Sequence, residues 1–547
     1  MGVVQQRIAD VAEAVRLAQL PPDVAVDLLA GIVEPRSDAT QRRSDGSFFT
    51  APDVAIWLTR RAIGATLLEL LDAPAADIDA ALADGADLTR IVGDRAMTSR
   101  AAHAAAASRL AELRVLDPSC GAGAFLVAAW GALVELQGVL DGAARVLGIT
   151  PGARVRPAQL LGVDRDPDAI AACAATLAIV TGASGTAQLT CADSIDAGAL
   201  PAADIVVGNP PFVRAAAARS AADLRTAQVP NMSAWIVERA LEVLRPNGRI
   251  AMVLPISTIC TSAFEPARAA WRASCDRVHV SSFDTIPASL FPGVVQRLAL
   301  VEGHRRVDEG ATADAWHVSR YHRWAAAERP GLLDRVRHVA MPAPGDGGSL
   351  PKVGSPVELA LLAQVRRHAP AGRFLTSAGA GGDNVLHYKR RWSYFLLFTD
   401  FVPPIWDAQG EPRTPSEFKT LHVVPELDAR VLLALYSSTL FWWYFAVFTD
   451  NRNVNLRDLR AFPVPEIDRE RAARLATLGD ELMVALRACS EVRTCTYRSI
   501  GTIRNTYFRQ GATRPVLDRI DEELAAAYGL DDAQLDFLLG FERRFRS

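Results

Sequence analysis

The sequence has few of the features that mark metal-binding, secreted or membrane proteins. Its seven cysteines are scattered, odd in number and form no Cys-x-x-Cys pair, which argues against a disulfide framework or a zinc site. No apolar run reaches the length of about 18 residues that suggests a membrane helix, and the N-terminus lacks a signal-peptide pattern. We therefore expect a cytoplasmic protein with reduced thiols, no metal and no membrane partner.

The chain also lacks a strong charge of either sign. It has 59 Lys and Arg residues against 62 Asp and Glu residues, for a formal net charge of −3. This sum does not indicate a nucleic-acid binder, although acidic helices can balance a basic groove elsewhere. Half of the residues are apolar, as in ordinary soluble proteins, and a length of 547 residues predicts two or three domains.

Short apolar runs alternate with helical stretches in the first half of the chain. This alternation is typical of βαβ units and predicts an α/β fold with a doubly wound, mainly parallel, Rossmann-like sheet. Two further runs, joined by a short loop, predict an antiparallel edge. The parallel runs are 114–117, 160–164, 186–190, 204–208 and 249–254, and the antiparallel pair is 278–283 and 295–301.

The tetrapeptide Asn209-Pro210-Pro211-Phe212 directly follows one of the apolar runs. The side-chain oxygen of Asn209 and the carbonyl of Pro210 can each accept a hydrogen bond from an amino group, while Phe212 stacks on the attached ring. This combination suits an adenine or an amide nitrogen at the carboxyl edge of an open sheet, where such folds bind ligands. The competing interpretation is a simple strand stop, since proline donates no ladder hydrogen bond and asparagine favours turns.

Small and acidic residues follow the earlier strands. The first strand leads into Asp117-Pro-Ser-Cys-Gly-Ala-Gly123, whose glycines let a ligand approach the backbone closely. Asp164 ends the second strand, where a nucleotide-like ligand has its ribose hydroxyls bound, and Asp193 follows the third. One aspartate alone is more often a helix cap, but the ordered series before the tetrapeptide argues against caps alone.

The order of these motifs, preceded by Phe48-Phe49-Thr50, resembles the gamma-class amino-group DNA methyltransferases that modify adenine N6. The resemblance covers residues 42–305 and implies S-adenosylmethionine as the cofactor. It implies that Phe49, Thr50, Asp117 and Gly121 line the methionine end, Asp164 the ribose and Asp193 the adenine; the remaining cofactor-binding candidates are Phe48, Pro118, Cys120, Gly123, Ser194 and Asn209. Ala51 departs from the family's usual proline, which leaves the rigidity of that loop open.

The family's mechanism implies that Asn209, Pro210, Pro211 and Phe212 form the catalytic motif. The target adenine leaves the DNA duplex to enter the site, where Phe212 and Phe291 are expected to sandwich it. No dedicated strong base is required, and the chain's nine histidines form no cluster beside the motif.

The part after residue 305 resembles the target-recognition region of restriction-modification methyltransferases. Lys389, Arg390 and Arg391 suit phosphate contacts, against the alternative of a solvated charge run. Arg452 and Asn453 either read base edges or stabilise a turn, and we expect the aromatic run 442–444 to be core. The predicted regions are a helical segment (1–40), a methyltransferase domain (41–305), a mixed α+β target-recognition domain (306–465) and a helical region (466–547).

We therefore expect a site-specific DNA adenine methyltransferase of a bacterial restriction-modification or phage-defence system, with double-stranded DNA as its partner. A protein-glutamine or RNA N-methyltransferase stays open because the tetrapeptide also suits an amide nitrogen, although such chains lack an extension like residues 306–547. A catalytically silent DNA-binding subunit is the other alternative, against which the intact motifs argue. Only residues 1–40 precede the first motif, so we expect any cutting activity in a separate endonuclease or other defence subunit.

Overall fold

The computed structural model divides the chain into two compact units, Met1–Pro351 and Lys352–Ser547. It describes residues 3–17, 21–33, 50–182, 186–214, 219–291, 294, 296–307, 315–342, 348–378, 382–391, 396–497 and 501–545. A Pro/Gly-rich stretch at 341–348 lies shortly before the boundary between the units.

The first unit combines helices with one large sheet. Its helices are α1 (Val3–Leu17), α2 (Pro22–Val33), α3 (Pro52–Leu70), α4 (Ala75–Ala83), α5 (Leu88–Ala96), α6 (Arg100–Glu112), α7 (Ala124–Leu147), α8 (Pro167–Thr181), α9 (Met232–Val243), α10 (Ser257–Cys260) and α11 (Glu265–Ser274). Its strands are β1 (Val115–Asp117), β2 (Leu160–Asp164), β3 (Gln188–Cys191), β4 (Ala203–Gly208), β5 (Leu244–Pro255), β6 (Cys275–Phe283), β7 (Leu298–Arg305), β8 (Ala315–His322) and β9 (His338–Pro342).

The nine strands form one sheet in the order β3-β2-β1-β4-β5-β7-β6-β8-β9. The first five of these pair in parallel, and β7 is antiparallel to both of its neighbours. β8 is parallel to β6, and β9 is antiparallel to β8. The predicted α/β fold with a mainly parallel sheet is confirmed.

Two predicted details of this sheet are wrong. The antiparallel pair β6 and β7 is internal, because β8 and β9 extend the sheet beyond β6. For the same reason the sheet does not end near residue 305 but reaches Pro342. Buried polar side chains, such as Ser319 at 0% exposure and His338 at 8%, interrupt the apolar pattern of β8 and β9 and hide these strands in the sequence.

Both faces of the parallel half of the sheet are covered. Ile205 and Val207 of β4 belong to a large core cluster with side chains of α3, α5, α6 and α7, and Val206 between them is also fully buried. Successive strand side chains point to opposite faces, so a strand buried throughout lies between two layers. By length and composition α7 could cross a membrane, but its buried side chains belong to this core.

The alanine-rich insert between Thr50 and Asp117 forms α3 to α6, a layer on the sheet. Ion pairs connect α3 to the strands. In the buried pair, Arg61 Nε donates to both carboxylate oxygens of Glu302 in β7, at 2.8 and 3.0 Å. Glu69 accepts a hydrogen bond from Arg277 of β6 at 2.7 Å. The insert is therefore a structural part of the first unit.

The second unit contains two four-stranded sheets and several helices. The sheets have the orders β11-β16-β12-β13 and β15-β14-β19-β18, and β10 pairs with β17. The helices are α12 (Pro356–Val365), α13 (Ala429–Ser437), α14 (Thr439–Phe448), α15 (Leu456–Ala461), α16 (Arg469–Ala488), α17 (Arg514–Tyr528) and α18 (Asp532–Gly540). The strands are β10 (Ala369–Pro370), β11 (Leu375–Thr376), β12 (Val385–Lys389), β13 (Phe398–Thr399), β14 (Ile405–Asp407), β15 (Pro412–Arg413), β16 (Phe418–Val423), β17 (Pro463–Val464), β18 (Ser490–Tyr497) and β19 (Gly501–Phe508).

The predicted helical region 466–547 is only partly helical. The β18–β19 hairpin interrupts it, and β19 pairs with β14, so residue 465 is not a structural boundary. The hairpin was missed because most of its residues are polar and partly exposed. The predicted core position of the aromatic run is confirmed for Trp442 and Trp443, which are 2% and 0% exposed.

Candidate active site

The predicted site residues of the first unit lie along one edge of the sheet. In the spatial order β3-β2-β1-β4, Asp193 follows β3, Asp164 ends β2, Asp117 ends β1 and Asn209 follows β4. From β1 the chain first adds strands on one side and then continues with β4 on the other. Such a reversal opens a crevice at the carboxyl ends of the strands, where α/β folds bind ligands.

Two glycines shape the turn after β1. Gly121 and Gly123 have φ angles of +52° and +97°, which side chains disfavour. A Cβ on Gly121 would meet nothing within 4 Å, so this position faces open space. A Cβ on Gly123 would lie 3.0 Å from Sγ of Cys173 in α8. Gly121 thus leaves the turn accessible, and Gly123 allows α7 to begin close against α8.

Two aspartates lie beside this turn, Asp117 buried and Asp164 partly buried. Asp164 accepts hydrogen bonds from the N–H groups of Gly121, at 2.9 Å, and Asp166, at 3.0 Å, and burial raises its pKa. Asp117 is 2% exposed, and burial raises its pKa to about 8 despite a hydrogen bond from the N–H of Ser119. The Asp117 carboxyl is therefore mostly protonated at neutral pH and can ionise beside a cation.

The side chain of Asn209 is held at one end and free at the other. Its Nδ2 donates to Oγ1 of Thr50 at 3.1 Å, which links the segment before α3 to the end of β4. Its Oδ1 is buried and has no hydrogen-bond partner among the described residues. A buried acceptor without a partner is costly, so this oxygen is prepared for a donor that a ligand brings.

One cleft is lined by residues from three motifs: the segment of Thr50, the glycine turn after β1 and the Asn209 motif. Counted out to its open mouth it holds about 430 Å³. Asp164 adjoins it through Gly121, and the Ser194 hydroxyl donates to the carbonyl of Pro118 in the same turn. The lining residues are Val26, Ala30, Thr50, Asp117, Ser119, Cys120, Gly121, Ala122, Ala124, Phe125 and Asn209.

These features fit the predicted cofactor. The open glycine turn, the adjacent carboxyl groups and the unpaired Asn209 oxygen can accommodate a cationic, nucleotide-like ligand. A second unpaired polar atom of the described residues, Oγ of Ser119, belongs to another lining residue. The predicted contacts of Phe48 and Phe49 lie outside the described residues.

The two aromatic rings predicted to sandwich a base differ in accessibility. Phe212 is partly buried and packs against the large core cluster. Phe291 is 1% exposed and is itself a member of that cluster. The Phe291 ring is thus buried in the described structure, and its predicted role as a stacking partner of the base stays a prediction.

In the second unit the structure brings the two predicted DNA-contact segments together. Arg391 and Asn453 form an isolated antiparallel bridge, and the N–H of Val454 donates to the carbonyl of Arg390 at 2.9 Å. Arg390, Arg391 and Arg452 are exposed, and none forms an ion pair with another described residue. Lys389 differs, since it lies 3.6 Å from a carboxylate oxygen of Glu417.

Sequence reasoning missed the contribution of α2 to the cleft. Val26 and Ala30 line it from a helix that resembles any other apolar helix in the sequence. Their four-residue spacing shows that they share a helix face, but no local signal identifies what that face contacts.

A comparison with protein families agrees with the geometry of this cleft. Residues 99–294 match the model of the N-6 DNA methylases. The matched region contains the glycine turn, the three aspartates Asp117, Asp164 and Asp193, and the Asn209 motif. The predicted resemblance is thereby confirmed for this part of the chain.

Solved structures extend the similarity beyond residues 99–294. The chain is similar to the Type IIL restriction-modification enzyme MmeI in complex with DNA, at 13% identity and a TM-score of 0.53, covering 95% of this chain and 81% of that chain. It also matches a DrdV–DNA complex, at 12% identity and a TM-score of 0.40, covering 68% of this chain and 38% of that one. A modification subunit of a putative type I restriction enzyme from Vibrio vulnificus YJ016 has 16% identity, a TM-score of 0.31 and coverages of 48% and 62%. The first similarity supports the overall fold, and a search of curated proteins finds no match.

Proposed function

We propose that this protein transfers a methyl group from S-adenosylmethionine to N6 of adenine at a specific sequence in double-stranded DNA, within a restriction-modification or phage-defence system. The observation that carries the proposal is the unpaired Oδ1 of Asn209, which lies in the region that matches the N-6 DNA methylases, beside an open glycine turn. An amino group is the donor that this acceptor suits.

Different residues in and beside the cleft would hold different parts of the cofactor. Asp117, Gly121 and Thr50 would hold the methionine end, and Asp164 the ribose hydroxyls. Asp193, which follows the neighbouring strand β3, would accept from the adenine amino group. When bound, S-adenosylmethionine supplies an electrophilic methyl group on a positively charged sulfur.

The protein's part in the reaction is to prepare the nucleophile. Adenine N6 is weakly nucleophilic because its lone pair is delocalised into the ring. If Asn209 Oδ1 and the Pro210 carbonyl each accept one amino hydrogen, the nitrogen becomes more tetrahedral and its lone pair points at the methyl group. The N–C bond then forms as the S–C bond breaks, and N6 loses a proton to solvent. Thr50 keeps the Asn209 amide in the required orientation.

DNA binding is assigned to the exposed arginines of the second unit together with the cleft. Arg390, Arg391 and Arg452 suit phosphate oxygens or guanine edges. The target base must leave the helix to reach a pocket of this kind.

The test is methylation of DNA by the purified protein with tritium-labelled cofactor, followed by long-read sequencing of the product. We expect label in DNA and N6-methyladenine in one sequence context. Asn209→Ala should abolish transfer while S-adenosylhomocysteine still binds. Label in RNA or protein in place of DNA would refute the proposal, as would full activity of Asn209→Ala.

A further inference from the structure

Helix α2 presents two rows of apolar side chains to the rest of the first unit. Leu29, which is fully buried, packs with Ile8 of α1 and Ala172 of α8. Val26 and Ala30 form the neighbouring row and line the cleft instead. The first row anchors the helix, and the second faces the glycine turn.

The row that faces the cleft, Val26 and Ala30, forms a side of the predicted cofactor site to which none of the sequence motifs contributes. Val26 and Ala30 are 4% and 7% exposed although they line an open cleft, so the side chains are screened by the cleft walls. Asp117, Ser119 and Gly121 of the β1 turn line the same cleft. The helix precedes the region 99–294 that matches the family model, so this match does not assign the helix a role.

We propose that α2 is a wall of the cofactor site and that Val26 and Ala30 contact the methionine part of S-adenosylmethionine. The inference rests on the proposed function, because S-adenosylmethionine is the ligand that the proposed function assigns to this cleft. The methionine part carries methylene groups beside its charges. An apolar wall buries those methylenes, while the Asp117 carboxyl meets the charge. Helix α2 thus takes part in cofactor binding.

The first experiment fills the cleft from α2. Ala30→Phe places a ring where the methyl group now lies, and we expect S-adenosylhomocysteine to bind at least tenfold more weakly in isothermal titration calorimetry. Leu28→Phe is the matched control, since Leu28 lies on the same helix but is 44% exposed. Its dissociation constant should equal that of the wild type.

A second variant removes contact without adding bulk. Val26→Ala deletes two methyl groups from the wall, for an expected loss of about threefold to tenfold in affinity. Hydrogen exchange gives an independent measurement: S-adenosylhomocysteine should slow exchange of the α2 amides in the wild type. Far-UV circular dichroism and the melting temperature report whether each variant is folded.

The outcomes separate this inference from the proposed function. If the wild type binds S-adenosylhomocysteine and a folded Ala30→Phe variant binds it with the same affinity, the role of α2 is refuted while the proposed function stands. If Ala30→Phe does not fold, unchanged affinity in Val26→Ala refutes the role of α2 equally. If the wild type binds neither S-adenosylmethionine nor S-adenosylhomocysteine, both the role of α2 and the methyltransferase proposal are refuted.

Discussion

The orientation of the Asn209 amide depends on one hydroxyl group. Nδ2 donates to Thr50 Oγ1 at 3.1 Å, which leaves Oδ1 for the substrate. Thr50→Val keeps the side-chain shape but removes the acceptor. A hydrogen bond of this kind contributes about 0.5–1.5 kcal/mol, so we expect kcat to fall about threefold to tenfold. Steady-state kinetics with labelled cofactor would measure the change.

The control for Thr50 is Thr50→Ser, which retains the hydroxyl and should retain most of the rate. Because Thr50 also lines the cofactor cleft, the dissociation constant for S-adenosylmethionine is measured beside kcat, and in Thr50→Val it should change less than kcat does. A raised dissociation constant with unchanged kcat in Thr50→Val would contradict the positioning role, because it would show that Thr50 acts through the cofactor.

Asp117 couples cofactor binding to pH. Burial raises its pKa to about 8, so the carboxyl is mostly protonated at pH 7 in the cofactor-free protein. A cationic cofactor favours the ionised form, which means that binding releases a proton at pH 7 and strengthens as pH rises from 6 to 8. Calorimetry in two buffers with different ionisation enthalpies would detect the release. Asp117→Asn should abolish it, and buffer-independent heats in the wild type would contradict the assignment.

At the scale of elements, a buried ion pair joins α3 to the sheet. Arg61 and Glu302 have side-chain exposures of 6% and 9%, and two hydrogen bonds of 2.8 and 3.0 Å join them. Arg61→Met leaves the Glu302 carboxylate buried without its partner, which costs about 3–5 kcal/mol. Chemical denaturation should show this loss in the free energy of unfolding. The double variant Arg61→Met with Glu302→Gln should be more stable than the single variant, and equal losses would contradict a pairwise interaction.

The predictable elements are those whose apolar pattern and loop chemistry agree. β1, β2 and β4 are apolar runs that end in Asp117, Asp164 and Gly208-Asn209, and parallel strands bring such ends together. β8 escaped prediction because His317 and Ser319 interrupt its apolar residues. The cleft wall on α2 depends on tertiary packing, which the pattern of one helix does not encode.

At the scale of the whole molecule, a net charge of −3 conceals a local basic surface. Many arginines form ion pairs, as Arg519 does with Glu481, whereas Arg390, Arg391 and Arg452 have no such partner among the described residues. The bridge between Arg391 and Asn453 joins two segments that are far apart in sequence. We call the exposed residues Arg390, Arg391 and Arg452 the arginine patch, and the proximity of their two segments could not be predicted from either segment.

The arginine patch should contribute the salt-dependent part of DNA binding. Removing one phosphate contact reduces the steepness of log affinity against log salt by about 1, so Arg391→Ala combined with Arg452→Ala should reduce it by about 2. Fluorescence anisotropy with duplex DNA between about 50 and 200 mM salt gives this slope. Arg519→Ala, an exposed arginine in an ion pair, is the control and should leave it unchanged. If the arginine patch instead contacts base edges, the salt slope of the double variant stays the same while the sequence context of methylation broadens. If neither the slope nor the sequence context changes, the arginine patch is not part of the DNA interface.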